Sequence, residues 1–260
     1  MLVYFRGCEL GWGVQHIRRS RKQFIMGIKL GPNIQHEGLV FSVDPASTIS
    51  WDGTNYRNTS HSDDSTTITG TITHVTDGGG TFTFGANGSY FNYSTTSPLR
   101  NLYNVSLVGW VKQGSTGAPH QTVIGTSDSY LYGIKLMSRY HGAAAVWMGD
   151  GGSNSNLLSS NVDITGDGKY HLLTCTRNGG SGDIKIYVDG VLKNTVGFTN
   201  TNQSFRGGVK DAGSTLLGAD YHSSGYYHTG NIGQVYGYNT VLSDEDILQI
   251  YNNGKHRYGL

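Results

Sequence analysis

Aromatic and polar side chains gather in two short, glycine-punctuated runs of this sequence. One is Asp220-Tyr221-His222-Ser223-Ser224-Gly225-Tyr226-Tyr227-His228. The other is Trp147-Met148-Gly149-Asp150-Gly151-Gly152-Ser153-Asn154. Sugars lay their C–H faces on aromatic rings and exchange hydrogen bonds with Asp and Asn side chains. By that chemistry Trp147, Asp150, Asn154, Tyr221, His222, Tyr226, Tyr227 and His228 are candidate glycan contacts. The competing reading is that Trp147, Tyr221 and Tyr226 pack beneath their loops while the glycines only turn the chain. Both readings suit residues that combine a large apolar body with a polar tip.

Hydrolytic chemistry finds less support. Glycosidases flank the sugar bond with two carboxylates. The chain has three Glu, at positions 9, 37 and 245, and none shares a strand with a second acid two residues away. Asp163, Asp167, Asp183 and Asp189 border glycine-rich turns and read as turn residues. No Cys/His spacing suggests zinc, and no Gly-Lys-Ser/Thr suggests a phosphate loop. The expectation is a domain without enzymatic activity. Cys8 and Cys175 are too few for a disulfide scaffold. Cys175 lies in an apolar run and reads as a buried small side chain, and a bond between the two stays open.

The elements that must position these residues are mostly strands. Of 260 residues, 14% are charged, 39 are Gly and only 4 are Pro, with a net charge of +1. That balance excludes a collagen-like or charge-rich disordered chain and a whole-protein nucleic-acid binder. No apolar run is long enough to span a membrane. Ser106–Lys112 is apolar on both faces, as in a central strand. Tyr170–Arg177, Ile184–Val188 and Val191–Lys193 form a three-strand meander, with Asp189-Gly190 as a two-residue type I′ turn. Near the end, Ser243 reads as the N-cap of a helix with Asp244, Glu245 and Asp246 in its first turn. Leu242 and Ile247 form its staple, Ile247, Leu248 and Tyr251 its apolar face, and Gly254 its C′ residue.

Four segments in fixed order resemble the laminin-G-like branch of the concanavalin A-like lectin/glucanase superfamily. They are Ser106–Lys112, Lys169–Thr174 with Ile186–Gly190, Leu217–Asp220, and Gly230–Tyr238 leading into Leu242-Ser243-Asp244-Glu245. The resemblance covers roughly residues 38–253 and implies an all-β, two-sheet antiparallel jelly roll. A short C-terminal helix follows it, and the first and last strands lie near each other. Calcium is common at the loop rims of this fold, so the resemblance makes Asp150 and Asp220 the acids to test as ligands, although six or more oxygens are needed. The fold alone assigns no function, since lectins, glycosidases, adhesion modules and virion proteins share it.

A narrower resemblance is to virion proteins of tailed bacteriophages. It rests on the opening Gly38–Ala46 and the closing Tyr251-Asn252-Asn253 and Lys255–Leu260. The family's acidic pair after the penultimate-strand Ile is replaced here by Gly233-Gln234, which weakens any salt-bridge or metal role there. Residues 1–37 precede the domain at 38–260. Arg6, Arg18, Arg19, Arg21 and Lys22 face only Glu9 in the first 25 residues, with no apolar stretch of signal-peptide length after them. They are either an upstream extension of doubtful origin or a basic arm that reaches a partner. The resemblance implies a multi-copy, non-enzymatic structural or interaction protein of the virion, at the head or tail. Its partners would be other virion proteins and surface glycans. A stand-alone lectin is the rival reading and a glycoside hydrolase the third.

Overall fold

Alternating apolar and polar residues become strands here, and paired apolar faces close them into two layers. The computed structural model describes residues 36–53, 56–60, 66–85, 88–93, 98–99, 102–114, 118–126, 132–150, 155–197, 214–220 and 226–260. Cys8 and the basic residues Arg6, Arg18, Arg19, Arg21 and Lys22 lie outside them. In chain order the strands are β1 (Leu39–Val43), β2 (Thr66–Thr69), β3 (Ile72–Val75), β4 (Thr81–Phe84), β5 (Tyr90–Tyr93), β6 (Val105–Gln113), β7 (His120–Gly125) and β8 (Tyr132–Tyr140). They continue as β9 (Ala143–Asp150), β10 (Ser155–Ser159), β11 (His171–Arg177), β12 (Asp183–Val188), β13 (Val191–Gly197), β14 (Thr215–Leu217) and β15 (Gly230–Tyr238). Helix α1 (Asp244–Gly254) follows, then a 3-10 turn at Lys255–Tyr258.

The first sheet runs β13-β12-β11-β6-β15-β4-β3, and the second runs β10-β9-β8-β7-β14-β5-β2. β15 pairs with β4 through Gly230–Ile232 and with β1 through Val235–Tyr238, so the first and last strands are neighbours, as the resemblance implied. All these pairings are antiparallel, and the architecture is the expected two-sheet sandwich. The main core lies between the sheets and includes Phe41, Phe82, Phe91, Leu107, Val111, Leu136, Val146, Ile186 and Val235.

A second apolar cluster explains why β6 is apolar on both faces. Val108 and Trp110 point away from the main core and are covered by Leu242, Ile247, Ile250 and Tyr258 of α1 and its flanks. Ser243 caps the helix in a capping box with Asp246. The Ser106 hydroxyl donates to Thr240 O and accepts from the Leu242 backbone, which fixes the entry to the helix.

Two expectations for this helix are corrected. Leu248 is 45% exposed, and Ile250 fills the buried face in its place. The face pointing at the sheet follows positions 247, 250 and 254. Gly254 is helical rather than a left-handed C′ residue, and Gly259 takes that conformation instead, at φ 79°. Gly254 serves close packing: a Cβ there would lie 2.8 Å from the Trp110 indole. An alternation is also broken in β1, where a bulge between Leu39 and Phe41 turns Leu39 toward the helix-side cluster.

The Asp189-Gly190 turn is present as predicted, with φ of 55° and 77°. Asp189 does more than turn the chain. Its carboxylate accepts from the Leu172 backbone at 2.9 Å and pairs with His171 Nδ1 at 2.7 Å, while Asp167 pairs with His171 Nε2 at 2.8 Å. Burial opposes charge on His171, but the two carboxylates outweigh it and hold the imidazole above its ordinary pKa.

Two outcomes follow from these contacts. Gly254→Ala should cost about 1–3 kcal/mol in urea denaturation, because overpacking against a buried indole outweighs the gain of up to about 1 kcal/mol in helix propensity. His171, with its folded pKa raised, contributes stability that is complete below its unfolded value of about 6.5 and is lost as pH rises through the folded value. The stability gap between the parent and His171→Asn should therefore shrink as urea midpoints are followed from about pH 5 to about pH 9.

Candidate functional site: an aromatic face on the second sheet

The second sheet turns Ile134, Leu136, Val146 and Met148 into the core. Strand alternation then sends Lys135 and Trp147, which are register partners, to the opposite face. On β5 the core takes Phe91 and Tyr93, leaving Tyr90 on that same outer side. One sheet face is thus free to carry function.

The residues after β14 fold back over this face. His228 N–H donates to Gly218 O at 2.8 Å, which brings the chain after residue 225 back beside the end of β14. Thr122 N–H on β7 donates to Tyr226 O at 3.0 Å. Asp220 pairs with Lys135, and both side chains are buried, at 1% and 5% exposure. The Lys135 ammonium lies over the Trp147 ring, 4.3 Å from its centroid, and 5.5 Å from that of Tyr226. Tyr226 stacks on His120 at 4.9 Å, and His120 packs on Tyr140 and His141 at 4.6 Å. Tyr227 stacks on Tyr90 at 6.3 Å. Burial and then the nearby His141 hold the His120 imidazole below its ordinary pKa. Trp147, Tyr226, Tyr227, Tyr140, Tyr90 and His120 are all half-buried, so their rings are held in place yet still reach solvent.

Three of the predicted glycan contacts, Trp147, Tyr226 and Tyr227, are therefore on this face. His228 is not available to a surface ligand. It is fully buried, its Nδ1 lies 3.1 Å from Ser138 Oγ, its ring meets Phe84, and burial pushes its pKa down to about 3. Asn154, Tyr221 and His222 lie outside the described residues. Asp150 closes β9 opposite Tyr132, and its side chain is not among those described. The Asp220 carboxylate is engaged by an ammonium, so it fits a calcium ligand poorly unless Lys135 is displaced. Among the described residues no group of three or more His, Cys, Asp or Glu is arranged to hold a metal ion. Cys175 is a buried free thiol, its pKa raised by burial to about 12. No helix among the described residues is long and apolar enough to cross a membrane.

Sequence reading missed Lys135, His120, Tyr140 and Tyr90. The signal for Lys135 was its position between Ile134 and Leu136, a charge flanked by core residues. Its pairing with Asp220, 85 residues away, needed the fold.

A sequence-family profile described as "Concanavalin A-like lectin/glucanases superfamily" matches residues 84–248. The chain belongs to this superfamily. No curated protein matches it significantly. Among solved structures it is similar to domain 4 of AbnA, a GH43 extracellular arabinanase from Geobacillus stearothermophilus, in complex with arabinotriose. The TM-score is 0.63 at 18% identity, over 84% of this chain and 100% of that one. It is also similar to the receptor binding domain of botulinum neurotoxin C/D mosaic serotype, with a TM-score of 0.62 at 18% identity over 83% of this chain. Here the chain spans 51% of its relative's length. A neurotoxin DC binding domain in complex with SialylT gives a TM-score of 0.59 at 15% identity, over 84% of this chain and 52% of that one. At these identities the likeness establishes the fold alone.

Gly233 and Gln234 have packing roles of their own in this fold. A Cβ on Gly233 would lie 2.3 Å from the Tyr258 hydroxyl. That hydroxyl accepts from Gln234 N–H at 2.9 Å, and Gln234 Nε2 donates to Asp44 at 2.8 Å. The position anchors the C-terminal tail.

Removing one member of the Lys135–Asp220 pair leaves the other buried without its counter-charge. Lys135→Met should cost about 3–5 kcal/mol, with a smaller loss in Lys135→Met/Asp220→Asn, read from denaturant midpoints in a double-mutant cycle.

Proposed function

We propose that this chain is a non-enzymatic glycan-binding domain that takes its ligand on the aromatic face of the second sheet. We also propose that it serves a bacteriophage particle as a head decoration or tail-associated protein. The observation that carries the binding reading is the row of half-buried rings around Trp147 and Tyr226, fixed from below by the Lys135–Asp220 pair. Rings held this way lose little conformational entropy when a sugar stacks on them. The complexes of similar folds with arabinotriose and SialylT support a sugar as the ligand class. The small number of Glu residues, and the engagement of Asp220 by lysine, support binding without hydrolysis.

The particle role rests on the opening and closing segments that resemble virion proteins. Those segments meet in the fold: Arg257 pairs with Asp44 at 2.8 Å, and Gln234 reaches the same carboxylate. A free lectin and a virion adhesin would use the same ring face and differ only in what holds the domain.

On a glycan array the protein should bind a defined set of sugars. Trp147→Ala should weaken that binding by about tenfold or more, as for a central aromatic anchor, while the protein still unfolds cooperatively at a somewhat lower melting temperature because the ring's packing on Lys135 is lost. Silence across the array, or undiminished binding by the variant, contradicts the glycan reading. Mass spectrometry of purified phage particles should find the chain as a stoichiometric component, and its absence there contradicts the particle reading.

A further inference from the structure

We infer that the glycan accepted by this face is uncharged. The inference rests on the glycan-binding reading and goes beyond it by naming the chemical class of the ligand. Among the described residues, Lys135 is the cation that lies against the Trp147 and Tyr226 rings. It cannot act as a free anchor for an acidic sugar. Its side chain is only 5% exposed and is already bound to the Asp220 carboxylate, itself 1% exposed. The pair carries no net charge.

A uronate or a sialate stacked on Trp147 would give up water around its carboxylate. It would meet in return an ammonium already bound to the Asp220 carboxylate. Desolvating a charge without pairing it is costly. A neutral sugar gives up only hydroxyl hydration, which ring contact and hydrogen bonds offset.

Among the described residues, His120 and His141 are titratable groups beside these rings, and neither offers a buried charge to a ligand. Burial and the proximity of His141 disfavour charge on His120. His141 sits at the β8–β9 turn and is exposed, where water and salt screen any charge it carries.

The test compares galactotriose with trigalacturonate, which differ in their carboxylates, alongside arabinotriose as a second neutral probe. Binding is followed at the Trp147 indole N–H by NMR. The chain has four Trp, so this signal can be assigned by substitution. At least one neutral sugar should move the Trp147 signal, and trigalacturonate should bind about tenfold more weakly or worse. Asp220→Asn leaves the Lys135 charge uncompensated and should raise the affinity for trigalacturonate relative to galactotriose by about tenfold. A purely structural role for the pair would not shift that ratio.

If trigalacturonate binds the parent protein as tightly as galactotriose, the inference is overturned while the glycan reading stands. If no sugar moves Trp147, both are overturned. Should Asp220→Asn fail to fold, the comparison on the parent protein decides alone.

Discussion

Strand β6 carries apolar side chains on both faces, so neither face can be left to water. Leu107 and Val111 are covered by the second sheet. Val108 and Trp110 need a separate cover, and α1 with the C-terminal turn supplies it. Close approach is what makes the cover fit, since Gly254 admits the Trp110 indole and Gly233 admits the Tyr258 hydroxyl. The tail that follows then ties distant parts of the first sheet together. Arg257 pairs with Asp44 and donates to the carbonyls of Gly78 and Gly80. Tyr187 donates to Asp244 at the start of the helix, joining β12 to the same cover.

With α1 and the tail covering the outer side of β6, the aromatic face lies on the second sheet. Its inner face completes the core, and against its outer face Gly218 and His228 join the chain on either side of residues 221–225. That junction is pinned by burying His228, whose imidazole is uncharged there. It is pinned again by Asp220. A buried ion pair adds little net stability over an apolar pair of the same size, because desolvation offsets the attraction. What the Lys135–Asp220 pair specifies is position: one ammonium fixes the start of the loop and lies against rings from β9 and from the loop's far end.

This division fits a superfamily whose members share a sandwich at low sequence identity. The layers require only apolar alternation and short turns, which many sequences satisfy. The ring face depends on individual side chains. It is therefore a property of this chain, and the solved structures with similar folds inform its geometry only through the strands beneath it.

Much of the fold was legible in the sequence because its determinants are local. The Asp189-Gly190 turn requires two positive φ angles, and the Ser243 cap requires an oxygen at the right offset. The two-faced apolar run of β6 requires cover on both sides. The errors at the helix show the limit of local reasoning. Leu248 and Ile250 are equally apolar, and only the direction of the underlying sheet decides which is buried. Gly254 resembles a stop signal, but the reason for it is Trp110, which lies 144 residues earlier. The candidate site divides the same way. Composition marked Trp147, Tyr226 and Tyr227 as rings beside polar loops, and it marked His228 with them. Strand parity and loop closure placed the first three on one surface and sent His228 inside. The pairing of Lys135 with Asp220 was decided by tertiary structure alone, since a charge flanked by core residues has no partner until another part of the chain is folded over it.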